Sequence, residues 1–104
     1  MEFDDPETAL REARQRFIDS FDEICASVLR AFREGPDAIR VSRGRVHRLA
    51  GLAGVVGFRG VSRKALDLEA VLDGPAAEAD VTGAVELMRG AFAEDLNAPA
   101  PPWA

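Results

Sequence analysis

The first long segment of the chain reads PETALREARQRFIDSFDEICASVLRAFREGP, residues 6–36. Its apolar side chains recur mostly every three, four or seven residues, which is the periodicity of one helix face: Leu10, Phe17, Phe21, Ile24, Val28, Ala31 and Phe32. Pro6 suits the first turn of a helix, and Gly35-Pro36 interrupts one. The segment therefore predicts a long amphipathic helix, and its length for a small domain suggests a break near Ser20.

The same periodicity predicts three further helices, at about residues 36–57, 61–72 and 76–96. Their apolar faces are Ile39, Val46, Leu49, Ala53 and Val56 in the second, Val61, Ala65, Leu68 and Leu72 in the third, and Val81, Val85, Met88, Phe92 and Leu96 in the fourth. No stretch alternates apolar and polar residues as a strand does. Four amphipathic helices with short connections predict an all-α fold, an antiparallel up-and-down four-helix bundle.

The length and the composition of the chain indicate one compact domain. The chain has 104 residues, of which 47% are hydrophobic and 30% charged, as in ordinary globular proteins. We assign residues 1–97 to a single domain and residues 98–104, Ala-Pro-Ala-Pro-Pro-Trp-Ala, to a Pro-rich tail. Trp103 in that tail either folds back onto the bundle or remains in solvent, and the sequence leaves both alternatives open.

The composition also bears on location. No apolar run approaches the ~20 residues of a membrane helix, and the acidic N-terminus differs from a secretory signal. The lone cysteine, Cys25, excludes an internal disulfide and a multi-thiolate metal site. We therefore expect a cytoplasmic protein without membrane association. The 12 arginines against 1 lysine, with many alanines and glycines, suggest a GC-rich bacterial genome.

Charge is divided unevenly along the chain. Residues 38–66 contain seven basic side chains and no acidic one, whereas the rest of the chain contains 6 basic and 18 acidic side chains. The net charge of −5 argues against general binding of nucleic acid. The only histidine, His47, lies inside the basic segment. This asymmetry predicts a partner or ligand that is locally anionic.

The second predicted helix places His47 at the edge of its polar side, at 100° per residue. The same arc carries Arg40, Arg43, Gly44, Gly51 and Gly54. Glycine inside a helix costs roughly 0.8–1 kcal/mol relative to alanine. The glycines could leave room for a partner to approach the imidazole. Alternatively, they could permit close helix packing within the bundle.

The chemistry open to His47 is narrowed by its neighbours. A surface histidine is usually a solvated residue without a role. As a metal ligand His47 lacks nearby His or Cys partners, and the basic surroundings repel a cation. As a general base it lacks an evident nucleophile to activate, and the basic segment contains no carboxylate to orient the ring. As a nucleophile towards phosphorus it fits better, since a neutral imidazole offers a nitrogen lone pair and arginines stabilise a bound phosphoryl group.

The residues VHRLAGLAGVVGF, from Val46 to Phe58, resemble the active-site helix of histidine-containing phosphotransfer (HPt) domains. The pattern is His-x-Leu followed by glycines at Gly51, Gly54 and Gly57. The apolar, small, Leu and Glu positions of that family's next helix match Val61, Ala65, Leu68 and Glu69, and the resemblance covers roughly residues 14–72.

The resemblance implies a phosphoprotein of two-component signal transduction, with His47 as the phosphoryl acceptor and donor. In that family the Nε2 nitrogen takes the phosphoryl group from an aspartyl phosphate of one response-regulator receiver domain and passes it to another. Receiver domains or a hybrid histidine kinase are then the partners of a monomeric carrier, with no turnover chemistry of its own. No cofactor or metal is expected in this chain, because the Mg²⁺ belongs to the receiver.

One departure from the family concerns the phosphate. Many members carry Lys three residues after the histidine, where this chain has Ala50. Arg43 is the preferred substitute, with Arg48 and Arg59 as further candidates.

The docking surface of such a carrier would combine glycines and apolar groups. Gly51 and Gly54 would let the partner approach, and Leu52, Val55 and Phe58 would give apolar contact around the ring. The alternative to phosphotransfer is a helical adaptor of the same fold that binds receivers or inhibits a kinase without being phosphorylated. A plain helical scaffold is a further alternative, favoured if the glycines are buried against another helix.

Overall fold

The computed structural model describes residues 5–104, and this part of the chain is all-α. It contains four helices, α1 (Pro6–Glu34), α2 (Pro36–Val55), α3 (Arg59–Asp73) and α4 (Glu78–Asn97). The helices pack in sequence, α1 on α2, α2 on α3 and α3 on α4, and α4 also touches α1. This arrangement is consistent with an up-and-down bundle.

The prediction of a break near Ser20 is wrong, because α1 is continuous. The Ser20 hydroxyl donates to the carbonyl of Phe17 within the helix. Phe17 and Phe21 on either side are both buried in the core. Packing of these two rings on one face therefore stabilises a single continuous helix, although isolated helices gain little from propensity alone.

Contacts between helix ends show that neighbouring helices run in opposite directions. The Arg14 guanidinium, near the start of α1, donates to the carbonyl of Val56, just after α2. The backbone N–H of Val61, near the start of α3, donates to the Asp95 carboxylate near the end of α4. Arg33 at the end of α1 pairs with Glu78 at the start of α4.

Aromatic rings fill one end of the core. The Phe17 and Phe58 rings lie 4.8 Å apart, and Phe21 stacks on Phe92 at 4.1 Å. Leu96 was predicted to be buried in this region but is 43% exposed. In the last turn of α4 it is Asp95, rather than Leu96, that faces α3.

The Pro-rich tail folds back onto the bundle. Trp103 packs half-buried against the core, and its carbonyl accepts a hydrogen bond from Arg11 of α1 at 3.0 Å. Pro101 packs on Gly57, where an added Cβ would lie 2.5 Å from the Pro101 Cγ. The tail thus covers the corner between α2 and α3. Within residues 5–104, no helix is both long and apolar enough to cross a membrane.

Candidate functional site

The site forms where α2 and α3 lie antiparallel, which we call the α2–α3 seam and define by the pairs Arg43–Asp73, His47–Glu69 and Gly54–Ser62. The Arg43 guanidinium bonds to the Asp73 carboxylate, the His47 ring to the Glu69 carboxylate, and Gly54 faces the Ser62 hydroxyl. From the first pair to the second, α2 advances four residues while α3 goes back four. One helical turn therefore separates the arginine pair from the histidine pair.

His47 is both accessible and oriented. Its side chain is 69% exposed, and its Nδ1 lies 3.0 Å from each oxygen of the Glu69 carboxylate, which is 26% exposed. An ionised carboxylate only accepts hydrogen bonds, so Nδ1 carries the ring proton. The neutral ring then has its lone pair on Nε2, on the side away from Glu69. The Glu69 carboxylate thus fixes Nδ1 and leaves Nε2 available to a reactant.

Sequence reasoning missed Glu69 as the partner of His47. The basic segment, residues 38–66, contains no carboxylate, and Glu69 lies just beyond it. The usable signal was the match of Glu69 to the acidic position of the HPt family's following helix. The contact itself joins α2 and α3, and it depends on how these two helices are aligned in the tertiary structure.

Of the three glycines within α2, Gly44 and Gly51 do not lie against another helix, whereas Gly54 faces α3. Gly51, one turn after His47, is exposed, and a Cβ added there would meet no atom within 4 Å. A Cβ on Gly54 would lie 3.5 Å from the Ser62 Oγ, and one on Gly44 would lie 3.6 Å from Arg48, both ordinary contacts. Close helix packing therefore does not explain Gly44 and Gly51. Gly54 does face α3, but a Cβ there would still fit at an ordinary contact distance.

The three candidate arginines separate in space. Arg43 lies on the α2–α3 seam one turn before His47. Arg48 lines a groove towards α1 with Ser20 and Ile24. Arg59 starts α3 and borders a groove beneath the tail. The structure thus brings Arg43 alone of the three to the seam beside His47.

The predicted apolar surroundings of the ring are partly wrong. Leu52 and Val55 are 40% and 62% exposed, as a docking role requires, but Phe58 is completely buried in the aromatic core. Phe58 therefore cannot contact a partner. Leu66, which sequence reasoning did not single out, is 51% exposed one turn before Glu69 on α3. It adds an apolar group to the same side of the α2–α3 seam.

Within residues 5–104, the other reactive groups form no second site. Cys25 is fully buried, and burial raises the pKa of its thiol to about 11, so the thiol stays protonated at neutral pH and is a poor nucleophile. Among residues 5–104, no group of three or more His, Cys, Asp or Glu side chains is placed to hold a metal ion. No protein-family model, no curated protein and no solved structure matches the chain.

Proposed function

We propose that this chain is a histidine phosphotransfer protein of a two-component phosphorelay, carrying a phosphoryl group on His47 between aspartates of receiver domains. One observation carries the proposal: an exposed imidazole whose Nδ1 bonds to the Glu69 carboxylate at 3.0 Å. A nucleophilic histidine needs a defined tautomer and a free nitrogen. The HPt resemblance of residues 46–58 implies what this nitrogen attacks, namely the phosphorus of an aspartyl phosphate on a receiver domain.

The transfer step follows from the tautomer. The Nε2 lone pair attacks phosphorus of the aspartyl phosphate, a P–N bond forms, and the P–O bond to the aspartyl carboxyl breaks with its electron pair left on the carboxylate. Nδ1 keeps its proton throughout. The ring becomes a phosphorylated imidazolium, and the Glu69 carboxylate stabilises the positive charge that develops on it. The reverse reaction delivers the phosphoryl group to a second aspartate.

The surface around His47 supports docking of a receiver. Gly51 leaves open space beside the ring, and Leu66 and Val55 offer apolar contact. The arginines of residues 38–66 complement the acidic mouth that the resemblance implies for the receiver. The receiver would bring the Mg²⁺ and the reactive aspartate.

The experiment that tests this function measures transfer of a phosphoryl group from a receiver domain to this protein. Receiver domains encoded in the same genome are charged with acetyl phosphate, freed of the small donor, and mixed with this protein. We expect an acid-labile, base-stable phosphoryl group on His47 and a matching loss from the receiver. The control is the His47→Gln variant, which should receive none. The proposal fails if every receiver keeps its phosphoryl group until it hydrolyses.

The exposed Leu66 and Val55 also fit a second function, an adaptor that binds receivers without accepting a phosphoryl group. The same experiment separates the two functions. An adaptor would bind a receiver with equal affinity whether position 47 is His or Gln, and it would carry no label.

A further inference from the structure

The ion pair between Arg43 and Asp73 lies one helical turn from the pair between His47 and Glu69. The Arg43 Nη1 donates to Asp73 Oδ1, and the two side chains are 42% and 63% exposed. Arg43 and His47 are neighbours on one face of α2, since residues four apart on a helix have Cβ atoms about 5–6 Å apart. Arg43 therefore has two anions within reach once a phosphoryl group is attached to His47.

The two anions are unequal. An exposed ion pair such as Arg43–Asp73 contributes little to stability, because water screens it and both side chains lose freedom. A phosphoryl group presents up to about two negative charges and three acceptor oxygens. Guanidinium binds such a group through two parallel N–H donors, which is stronger than a single bond to a carboxylate. Phosphorylation should therefore change the preferred partner of Arg43.

We propose that Asp73 holds Arg43 away from His47 in the unphosphorylated protein, and that phosphorylation moves the Arg43 guanidinium from the Asp73 carboxylate to the phosphoryl group. The inference rests on the proposed function and adds to it a cation for the phosphate. That cation, Arg43, lies on the N-terminal side of His47 in α2, whereas Ala50 lies on the C-terminal side. Asp73 is a positioning residue in this scheme. It acts through Arg43, and it sets how readily phospho-His47 forms.

The test uses phosphoramidate as a small phosphodonor, so that no partner is required. Its P–N bond to ammonia breaks as the bond from phosphorus to His47 Nε2 forms. Intact-protein mass spectrometry follows the phosphorylated fraction at low and high salt. We expect Asp73→Asn to raise the phosphorylation rate by up to about fivefold at low salt, the scale of one exposed ion pair, and by less at high salt. Asp73→Glu should behave like the parent.

Two controls isolate the action through Arg43. Asp67→Asn removes an exposed carboxylate of α3 that pairs with Lys64 instead, and it should leave the rate unchanged. In an Arg43→Ala background, Asp73→Asn should leave the phosphorylation rate unchanged, because that variant has no guanidinium for Asp73 to hold. The four proteins together form a double-mutant cycle. Arg43→Ala alone should slow phosphorylation several-fold, and Arg43→Lys should keep a good part of the rate.

The outcomes separate this inference from the proposed function. If His47 is phosphorylated but Asp73→Asn leaves the rate unchanged or lowers it, the exchange is overturned and the carrier function stands. An equal gain from Asp73→Asn with and without Arg43 also overturns it, since the carboxylate would then act directly on the phosphate. If the parent protein acquires no label on His47 from either phosphoramidate or a charged receiver, both proposals fall.

Discussion

The His47 side chain is 69% exposed, so it adds little to the packing of the core. We expect His47→Gln to abolish acid-labile phosphorylation and to change the free energy of unfolding by less than about 0.5 kcal/mol. Urea unfolding followed by circular dichroism checks the stability. Since the sequence contains a single histidine, any acid-labile label that survives in this variant would contradict the carrier function.

Gly51 is the residue at which transfer and stability should respond in opposite directions. In Gly51→Gln the new side chain enters open space, so we expect the free energy of unfolding to stay equal or to rise by up to ~1 kcal/mol from helix propensity. Transfer from a receiver should slow severely, because the side chain would stand beside the ring at the proposed docking surface.

The matched control for Gly51 is Gly83 of α4, which is also exposed and open. Gly83→Gln should give a similar change in stability without slowing transfer. Equal slowing in both variants would mean that open space beside His47 is not what the receiver needs.

At the scale of the element, α3 depends on a carboxylate from another helix. Phe58 precedes α3 and offers no side-chain cap, and Asp95 of α4 instead accepts from the N–H of Val61 at 2.9 Å. A negative charge there also favours the helix dipole. We expect Asp95→Ala to lower the free energy of unfolding by about 0.5–2 kcal/mol, as for other lost caps.

Chemical denaturation measures the effect of Asp95, with the exposed neighbour Glu94→Ala as control, expected within about 0.5 kcal/mol of the parent. Because the Asp95 carboxylate accepts from the Val61 N–H in the first turn of α3, amide hydrogen exchange in Asp95→Ala should rise first at the start of α3. Equal stability of the two variants would contradict the capping role.

At the scale of the whole molecule, the tail completes the fold. Gly57 has φ +89°, and Pro101 occupies the space that a Cβ would need. We expect Gly57→Ala to lower the free energy of unfolding by about 1–2 kcal/mol from the backbone conformation alone, and to expose Trp103 to acrylamide quenching. Gly74 has an extended φ of −113° and open space around it, so Gly74→Ala should change neither quantity. Unchanged quenching in Gly57→Ala would mean that the tail docks independently of this corner.

The helices and most of their boundaries could be predicted because apolar periodicity and Gly-Pro breaks are local properties of the chain. Gly35-Pro36 and Gly74-Pro75 separate helices in the structure as the sequence indicated. The predicted break at Ser20 failed for a nonlocal reason, since Phe17 and Phe21 bury one continuous face of α1 against other helices.

The candidate site divides in the same way. The sequence by itself determined the place of His47 on the polar edge of α2, the nearby glycines and the basic surroundings, because all of them lie within one helix and follow from its 3.6-residue period. Only the tertiary structure decided that Glu69 holds the ring, that Asp73 holds Arg43, that Phe58 is core and that Trp103 folds back. Each of those contacts joins segments far apart in sequence, and their register is set by how the side chains of the whole bundle pack together.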